Sequence, residues 1–230
     1  MVNRERLAET FKALAQTSSP SKREGRLAAD LQSRLDALGA DTWIDNSAAA
    51  TGSDTGNLIA RLGPGGTATP LIVCTHMDTV GPAEKIRVRF ADGVFTSDGT
   101  TILGADDKSA IAAVLEALEV ARERGIGHGP LELVFTTCEE IGLTGAKNLD
   151  FGRINGRFGY ALDATDTEGI ITRSPSADRF EITVVGRDAH AGAHPEKGIN
   201  AIHLAAKAMA GLAIGRIDPE TTCNIGWIEG

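Results

Sequence analysis

Two adjacent carboxylates, Glu139 and Glu140, lie three residues beyond the apolar run of residues 131–135. Two carboxylates at the end of a buried strand repel each other, and burying them is costly unless a positive charge lies between them. A bound metal ion is such a charge, and it indicates a hydrolase. Taken alone, the pair also fits the solvated start of a loop, so the interpretation depends on the other acids of the chain.

A second pair of residues, His76 and Asp78, follows the apolar run of residues 71–74. Side chains two apart on a strand face the same way, so Asp78 can reach the ring nitrogen of His76 that a metal does not use. His-x-Asp by itself is also typical of an ordinary strand end, and its value here comes from its position after the apolar run.

Three further aspartates lie where predicted elements meet loops. Asp106 and Asp107 open the helix that begins at Lys108, and one of the two fits a helix N-cap. If Asp107 caps the helix, Asp106 is free to project toward a shared cation. Asp163 closes the short apolar strand of residues 159–162, where a lone Asp also fits a turn.

The elements that must position these residues alternate between helix and apolar strand. Apolar spacing predicts two N-terminal helices, the second opened by a capping box formed by Ser21 and Glu24. Short strands, a hairpin turning at Asp92-Gly93 and a long helix over 108–124 follow. This order predicts an α/β fold with a mixed central sheet and helices on both faces, plus a partial α+β lid or dimerisation domain.

We predict a boundary near Ser174, with a catalytic metal-binding domain over residues 1–174 and a partial lid domain over residues 175–230. The second piece reads as a strand over 180–185, a helix over 199–212 and a strand over 223–228. Because such a piece is poorly placed to bury its own core, we expect the chain to be truncated or to be completed by a partner.

In an α/β sheet, sites form at the carboxyl ends of strands, and the candidate residues all lie at such ends. His76, Asp106, Glu140 and Asp163 together offer one nitrogen and several oxygen ligands, a set suited to zinc or a similar divalent ion, with Asp106 able to bridge two. Glu139 then remains as a base beside the metal.

The motifs His76-x-Asp78, Gly104-Ala105-Asp106-Asp107-Lys108, Glu139-Glu140-x-Gly142 and Asp163, in this order and spacing, resemble a known family. These are the co-catalytic di-zinc exopeptidases that include peptidase T, carboxypeptidase G, aminoacylase and succinyl-diaminopimelate desuccinylase. The segments around His76 and Asp106 are most similar to the peptidase T branch. The resemblance covers essentially the whole chain.

The resemblance implies two zinc ions per intact site and a role for each residue. His76 and Asp163 would hold one zinc, Asp106 would bridge both, and Glu140 would hold the second. Asp78 would orient His76, and Glu139 would be the general base and proton shuttle. The resemblance also implies that the peptide bond after Asp106 is cis.

A loop histidine, His190, matches the family's lid histidine, which in dimeric relatives reaches the neighbouring subunit's site and stabilises the developing oxyanion. The resemblance therefore also implies a homodimer through the lid domain. Family members take a last histidine ligand from a C-terminal segment that returns to the catalytic domain. That segment is not in this sequence, so we expect the second metal to lack its nitrogen ligand and the activity of this chain to be in doubt.

The resulting hypothesis is a metallopeptidase that cleaves short peptides, acting as an aminopeptidase on tripeptides. One alternative is an amidohydrolase, deacylase or carboxypeptidase on the same scaffold, and another is an inactive, truncated metal-binding fragment. The metal motifs do not choose among these, because specificity lies in lid and C-terminal contacts.

Composition limits the partners and the compartment. The 230 residues carry a formal net charge of -8 with a pI near 5.2, and without a Lys/Arg cluster this argues against nucleic acid or an anionic membrane as the main partner. The N-terminus runs into a charged helix without an apolar signal core, so we expect a cytoplasmic protein. Three separated cysteines, Cys74, Cys138 and Cys223, fit buried free thiols.

Overall fold

The computed structural model describes residues 1–64, 68–174 and 176–230. Two compact units divide the chain, Met1–Thr165 and Asp166–Gly230. Residue 175, at which the second domain is predicted to begin, lies outside the described residues. The two units are described separately below.

The first unit is built on a five-stranded mixed sheet of β1 (Asp41–Ile44), β2 (Leu58–Leu62), β3 (Leu71–His76), β6 (Leu131–Thr136) and β7 (Phe158–Ala161). Their order in the sheet is β1-β2-β6-β3-β7. β6, β3 and β7 are parallel, whereas β1 and β2 are antiparallel to their neighbours. The mixed α/β class is therefore confirmed.

Three long helices, α1 (Arg4–Gln16), α2 (Gly25–Ala37) and α4 (Lys108–Arg124), cover one face of this sheet. Their apolar positions recur at helical spacing and form one buried cluster with alternate residues of the central strands. Leucines at 14, 27, 31 and 35 meet Leu58, Ala60, Leu133 and Phe135 there, all almost fully buried. The apolar helix faces, which repeat every 3.6 residues, thus pack against the apolar strand face, which repeats every two residues, in one core.

The opposite face of the sheet is covered by the segment that follows β6, which contains a 3-10 helix at Phe151–Arg153. The guanidinium groups of Arg61 and Arg153 lie 4.6 and 4.5 Å from the ring centroid of Trp43. Glu132 is fully buried on this face and accepts hydrogen bonds from Arg61 and from the Asn155 and Gly156 N–H groups. Helical segments therefore contact both faces.

Smaller elements complete the first unit. The predicted hairpin is confirmed: β4 (Val88–Ala91) and β5 (Val94–Ser97) pair around Asp92 and Gly93, both of which have positive φ, as a type I′ turn requires. The two short helices are α3 (Ala48–Thr51) and α5 (Thr144–Lys147).

The capping box predicted at the start of α2 is wrong. Glu24 occupies the N-cap position, but neither it nor Ser21 forms the capping hydrogen bonds of such a box. Ser21 Oγ donates instead to Asp78, and Glu24 accepts from the backbone N–H of Cys138. Both side chains are drawn into contacts that are distant in sequence, because buried donors and acceptors on the strand ends need partners.

The second unit contains helix α6 (Ala201–Ala210), which confirms the predicted helix, and a two-residue ladder between β8 (Gly215–Arg216) and β9 (Thr222–Cys223). The strand predicted over 180–185 is wrong, since none of those residues is in a strand. Phe180 and Ile182 are 82% and 78% exposed. A strand needs a partner for its backbone hydrogen bonds, and among the described residues this segment has none.

None of the helices in the described ranges is long and apolar enough to cross a membrane.

Candidate metal centre

The parallel pairing of β3 with β6 brings the two main motifs together. His76 at the end of β3 lies in register with Thr136 at the end of β6, so residues 76–78 and 137–140 leave the sheet side by side. On the other side of β3, Cys74 is paired with Ala161 of β7, which carries Asp163 to the same edge. The predicted site residues of the first unit therefore converge.

The imidazole of His76 is buried and contacts three aspartates. Its Nε2 lies 3.0 Å from Asp106 Oδ1 and 3.9 Å from Asp163 Oδ1. Its Nδ1 lies 2.9 Å from the backbone carbonyl oxygen of Asp78 and 3.5 Å from that residue's carboxylate. Nδ1 therefore donates to Asp78, and Nε2 faces the acidic cluster, which is the orientation a metal-binding histidine needs.

The Asp78 carboxylate is fully buried and contacts two strand ends and a loop. Its oxygens accept hydrogen bonds from the Ser21 hydroxyl at 2.6 Å and from the N–H groups of Glu139 and Glu140 at 2.8 and 3.1 Å. Burial opposes its charge, but the hydrogen bonds from His76, Ser21 and Glu139 outweigh burial and lower the pKa of Asp78. Asp78 therefore stays ionised.

Two overlapping groups of side chains place ligand atoms within 4.8 Å of one another, which is close enough to hold a metal ion. One consists of His76, Asp106 and Glu140, and the other of His76, Asp107 and Asp163. Three of the four predicted ligands thus meet in the first group, and Asp163 joins His76 in the second.

Asp107 is a candidate ligand that the sequence did not indicate. It occupies the N-cap position of α4, but its side chain forms no capping hydrogen bond. Its carboxylate instead lies 3.4 Å from the backbone nitrogen of His76. The peptide bond between Asp106 and Asp107 is cis, as the resemblance implies, and the two carboxylates belong to different candidate groups.

Burial, together with neighbouring carboxylates, raises the pKa values of four acids in the cluster. Burial is the largest cause for Glu139, Glu140 and Asp163, and neighbouring carboxylates add to it. For Asp107, burial together with the charges of Asp163 and Asp106 raises the pKa to about 7. The cluster therefore favours bound protons or another positive charge.

His76 shows the same demand for positive charge. Burial lowers the pKa of its imidazole, but the carboxylates around it, Asp78 first, raise it more strongly, to about 10. One imidazole and several carboxylate oxygens within metal-ligand reach, each favouring a nearby cation, fit a divalent metal such as zinc. The chemistry of these ligands therefore fits a metal site.

His190, the remaining predicted site residue, lies in the second unit. It is exposed, and its Nδ1 accepts hydrogen bonds from the N–H groups of Gly192 and Ala193 at 3.2 and 3.1 Å. An Nδ1 that accepts leaves the ring proton of the neutral imidazole on Nε2. His190 can therefore donate a hydrogen bond outward from its loop.

Four residues that support the site have no individual role in the sequence-based prediction. Ser21 and Glu24 resemble a capping box, Asn57 follows a Gly in a loop, and Lys108 reads as the start of a helix. Lys108 is fully buried, and its ammonium donates to the Thr17 carbonyl at 2.6 Å, which ties the start of α4 to the end of α1. Each contact joins residues far apart in sequence, so local spacing carries no sign of it.

Comparison with known proteins agrees with this fold. Residues 174–230 match the peptidase dimerisation domain of the M20 family. A tripeptidase from Staphylococcus aureus subsp. aureus Mu50 superimposes with a TM-score of 0.84 at 37% identity, and the aminopeptidase PepT from Bacillus cereus ATCC 10987 with 0.78 at 41% identity. Each alignment covers 100% of this chain and 62% of the solved chain.

The fold is thus that of solved peptidases. The chain resembles peptidase T-like proteins of the M20 family over its whole length. It is also 43% identical to the uncharacterized protein YqjE of Bacillus subtilis (strain 168) over 100% of its own length and 62% of that protein. The chain therefore spans about three fifths of the length of these relatives.

The raised pKa of His76 predicts a pH-dependent stability of the metal-free protein. Its folded pKa of about 10 lies above the ordinary 6.5, so its contribution is complete below about pH 6.5 and is lost as the pH rises toward about 10. With EDTA present, the stability advantage of the wild type over His76→Gln should shrink by at least about 1 kcal/mol across this window.

Urea unfolding at several pH values, followed by Trp43 fluorescence in a Trp227→Phe background, measures this in the first unit. Burial lowers the pKa of Lys108 to about 8, so its contribution to stability changes with pH in the opposite direction. Because Lys108 is present in both proteins, this contribution cancels in their difference. His128→Gln, at an exposed histidine, is the matched control. A wild type and His76→Gln difference that stays constant with pH would contradict the prediction.

Proposed function

We propose that the protein hydrolyses peptide bonds in short peptides that have a free N-terminus, using two divalent metal ions. The observation that carries the proposal is the convergence of His76, Asp106, Glu140 and Asp163 at one sheet edge, with Glu139 beside them. The similarity to a tripeptidase and to an aminopeptidase over the whole chain supports the choice of substrate class.

The residues proposed to hold the metals follow the family pattern. His76 and Asp163 would hold one zinc ion, Glu140 would hold the second, and Asp106 would serve both. When bound, two such ions lower the pKa of a water molecule and polarise the scissile carbonyl. Asp107, whose carboxylate lies in the second candidate group, would add negative charge beside the first ion.

Glu139 is the proposed general base. Its pKa is raised by burial and then by the charges of Asp163 and Glu140, and a base with a raised pKa accepts a proton more readily near neutral pH. Its carboxylate takes a proton from the attacking water and returns it to the leaving amine. Asp78 holds the Glu139 backbone N–H, so the base starts from a fixed position.

His190 is proposed to stabilise the oxyanion that develops on the substrate carbonyl. Its Nδ1 accepts two backbone hydrogen bonds, so its Nε2–H is the donor. By analogy with dimeric relatives, it acts on the site of the neighbouring subunit in a homodimer. An exposed loop position leaves the ring accessible for this role.

Replacing the proposed base tests the mechanism directly. Glu139→Gln removes the proton acceptor but keeps the size and polarity of the side chain, so turnover of a tripeptide should fall by about 10²- to 10⁴-fold. Zinc content, measured by atomic absorption after gel filtration, should stay at the wild-type level. Glu84→Gln, at an exposed loop position, should change neither. Loss of zinc from Glu139→Gln would refute its assignment as base.

The substrate class is tested with a matched pair of peptides. A tripeptide with a free amino terminus should be hydrolysed, while its N-acetylated form should react at least about 100-fold more slowly. In a site built for a free amine, acetylation of the peptide leaves the polar group that binds the amine buried without a partner. Liberated amino acids are quantified by chromatography. Preferential cleavage of the acetylated peptide would identify a deacylase instead.

A homodimer through the second unit is supported by the match to a peptidase dimerisation domain and by exposed apolar side chains such as Phe180 and Trp227. Such side chains are costly to leave in water and favour an interface. Sedimentation equilibrium at micromolar concentration should give twice the 24.0 kDa chain mass. A monomer mass across the concentration range would contradict this.

A further inference from the structure

The turn that carries Glu139 and Glu140 is held by an unbroken series of side-chain acceptors. The N–H of Thr137 donates to Asn57 Oδ1 at 3.0 Å, and the N–H of Cys138 donates to Glu24 Oε1 at 2.9 Å. The next two N–H groups donate to the two oxygens of Asp78. Four consecutive backbone groups are thus bound by three side chains from distant segments.

Glu24 is fully buried, and every partner it has donates to it. Oε1 accepts from the N–H groups of Lys22 and Cys138, and Oε2 accepts from the Ser53 hydroxyl at 2.5 Å. A buried carboxylate is tolerated only when its oxygens are satisfied in this way. The carboxylate therefore links the loop before α2, the loop before β2 and the turn after β6.

The backbone of the turn needs such support. Cys138 has φ +53°, in the left-handed region that residues other than glycine rarely adopt. A conformation of this kind persists where surrounding contacts fix it. The hydrogen bond from the Cys138 N–H to Glu24 acts at this residue, one position before the proposed base.

Asn57 closes the same turn at its two ends. Its Oδ1 accepts from the Thr137 N–H, while its Nδ2 donates to the carbonyl of Gly145 at 3.0 Å and to Asp45 at 2.8 Å. Asn57 is fully buried, so its amide is fixed by these partners. It thereby sets the separation between the start and the end of the loop.

We propose that Glu24 and Asn57 are positioning residues, which fix the backbone of residues 137–140 and thereby aim the carboxylates of Glu139 and Glu140 into the metal site. The part of this inference that concerns the metal site rests on the proposed function. The backbone part stands on its own, because it concerns hydrogen bonds that can be measured without metal or substrate.

Two substitutions at Glu24 separate its hydrogen bonding from its charge. Glu24→Gln keeps an oxygen that can accept from Cys138 and should behave like the wild type. Glu24→Leu removes both acceptors at similar volume and should release the turn. The matched control is Glu132→Leu, which removes another fully buried carboxylate that accepts two backbone N–H groups, on the opposite sheet face.

Amide hydrogen exchange of the whole chain, followed by NMR, reads the turn directly. In Glu24→Leu the N–H groups of residues 138–140 should exchange at least tenfold faster than in the wild type, while in Glu24→Gln and Glu132→Leu they should not. Equal exchange in Glu24→Leu and the wild type, or the same acceleration in Glu132→Leu, would overturn the positioning role.

Zinc affinity, measured by competition with a chromogenic chelator, reads the consequence for the site. Glu24→Leu should weaken zinc binding by about 10- to 100-fold, as expected when a partner that orients a ligand is lost. Unchanged affinity alongside faster exchange would show that the turn does not aim Glu140, and would overturn that part. If the wild type binds no zinc, the proposed function fails, while the exchange data still decide the backbone part.

Should Glu24→Leu fail to fold, Ser53→Ala provides a milder variant. It removes the donor to Glu24 Oε2 and leaves the Cys138 contact without its fixed orientation. Asn57→Asp, which replaces the amide donor to the Gly145 carbonyl with an acceptor, should accelerate exchange at Thr137 and Gly145. Exchange unchanged in both variants would also overturn the proposal.

Discussion

The buried carboxylate of Asp78 is the contact on which the arrangement of the site depends. It accepts hydrogen bonds from Ser21, Glu139 and Glu140, and it lies beside the His76 ring. One side chain thus connects the loop after α1 with the ends of β3 and β6. A carboxylate in this position needs several donors to remain charged in a dry environment, and the two strand ends supply them.

A second constraint is the mutual repulsion of the acids that this arrangement gathers. His76, the two aspartates at the start of α4, the glutamate pair and Asp163 share one sheet edge. Burial first, and then the neighbouring carboxylates, raise the pKa values of Asp107, the glutamate pair and Asp163 there. The fold therefore concentrates negative charge instead of dispersing it. Such a concentration destabilises a protein unless the site also has a use for a cation, and it explains why the strand ends have to be held so firmly.

The positions of the strand ends were predictable from sequence because apolar runs and their polar termini are local features. The parallel order of β6, β3 and β7 then makes residues that follow those runs neighbours. The contact of Asp78 with the His76 ring was also predictable from their spacing, but the partners from distant segments were not. Ser21 and Glu24 follow the spacing of a capping box, and Asp107 sits at a helix start, yet all three side chains turn to contacts 31 to 114 residues away.

In the second unit, a local pattern predicted a strand that did not form. The alternating apolar residues of the 180–185 segment have the local pattern of a strand, but the described residues supply no neighbouring strand to pair with it. Strand propensity describes fitness for a pleated, half-buried surface, so the pattern predicts a strand only where the partner is present. Helix α6, whose hydrogen bonds are internal, was predictable without one.

Cys138 gives the turn beside the proposed base a chemical property of its own. The thiol is fully buried, and burial together with the neighbouring Glu24 raises its pKa to about 11. Only the thiolate reacts readily with oxidants and alkylating reagents. At neutral pH the cysteine is therefore shielded both by packing and by protonation, and reagents reach it only when the turn opens. The rate at which Cys138 is modified is then a measure of how often this part of the protein leaves its folded conformation.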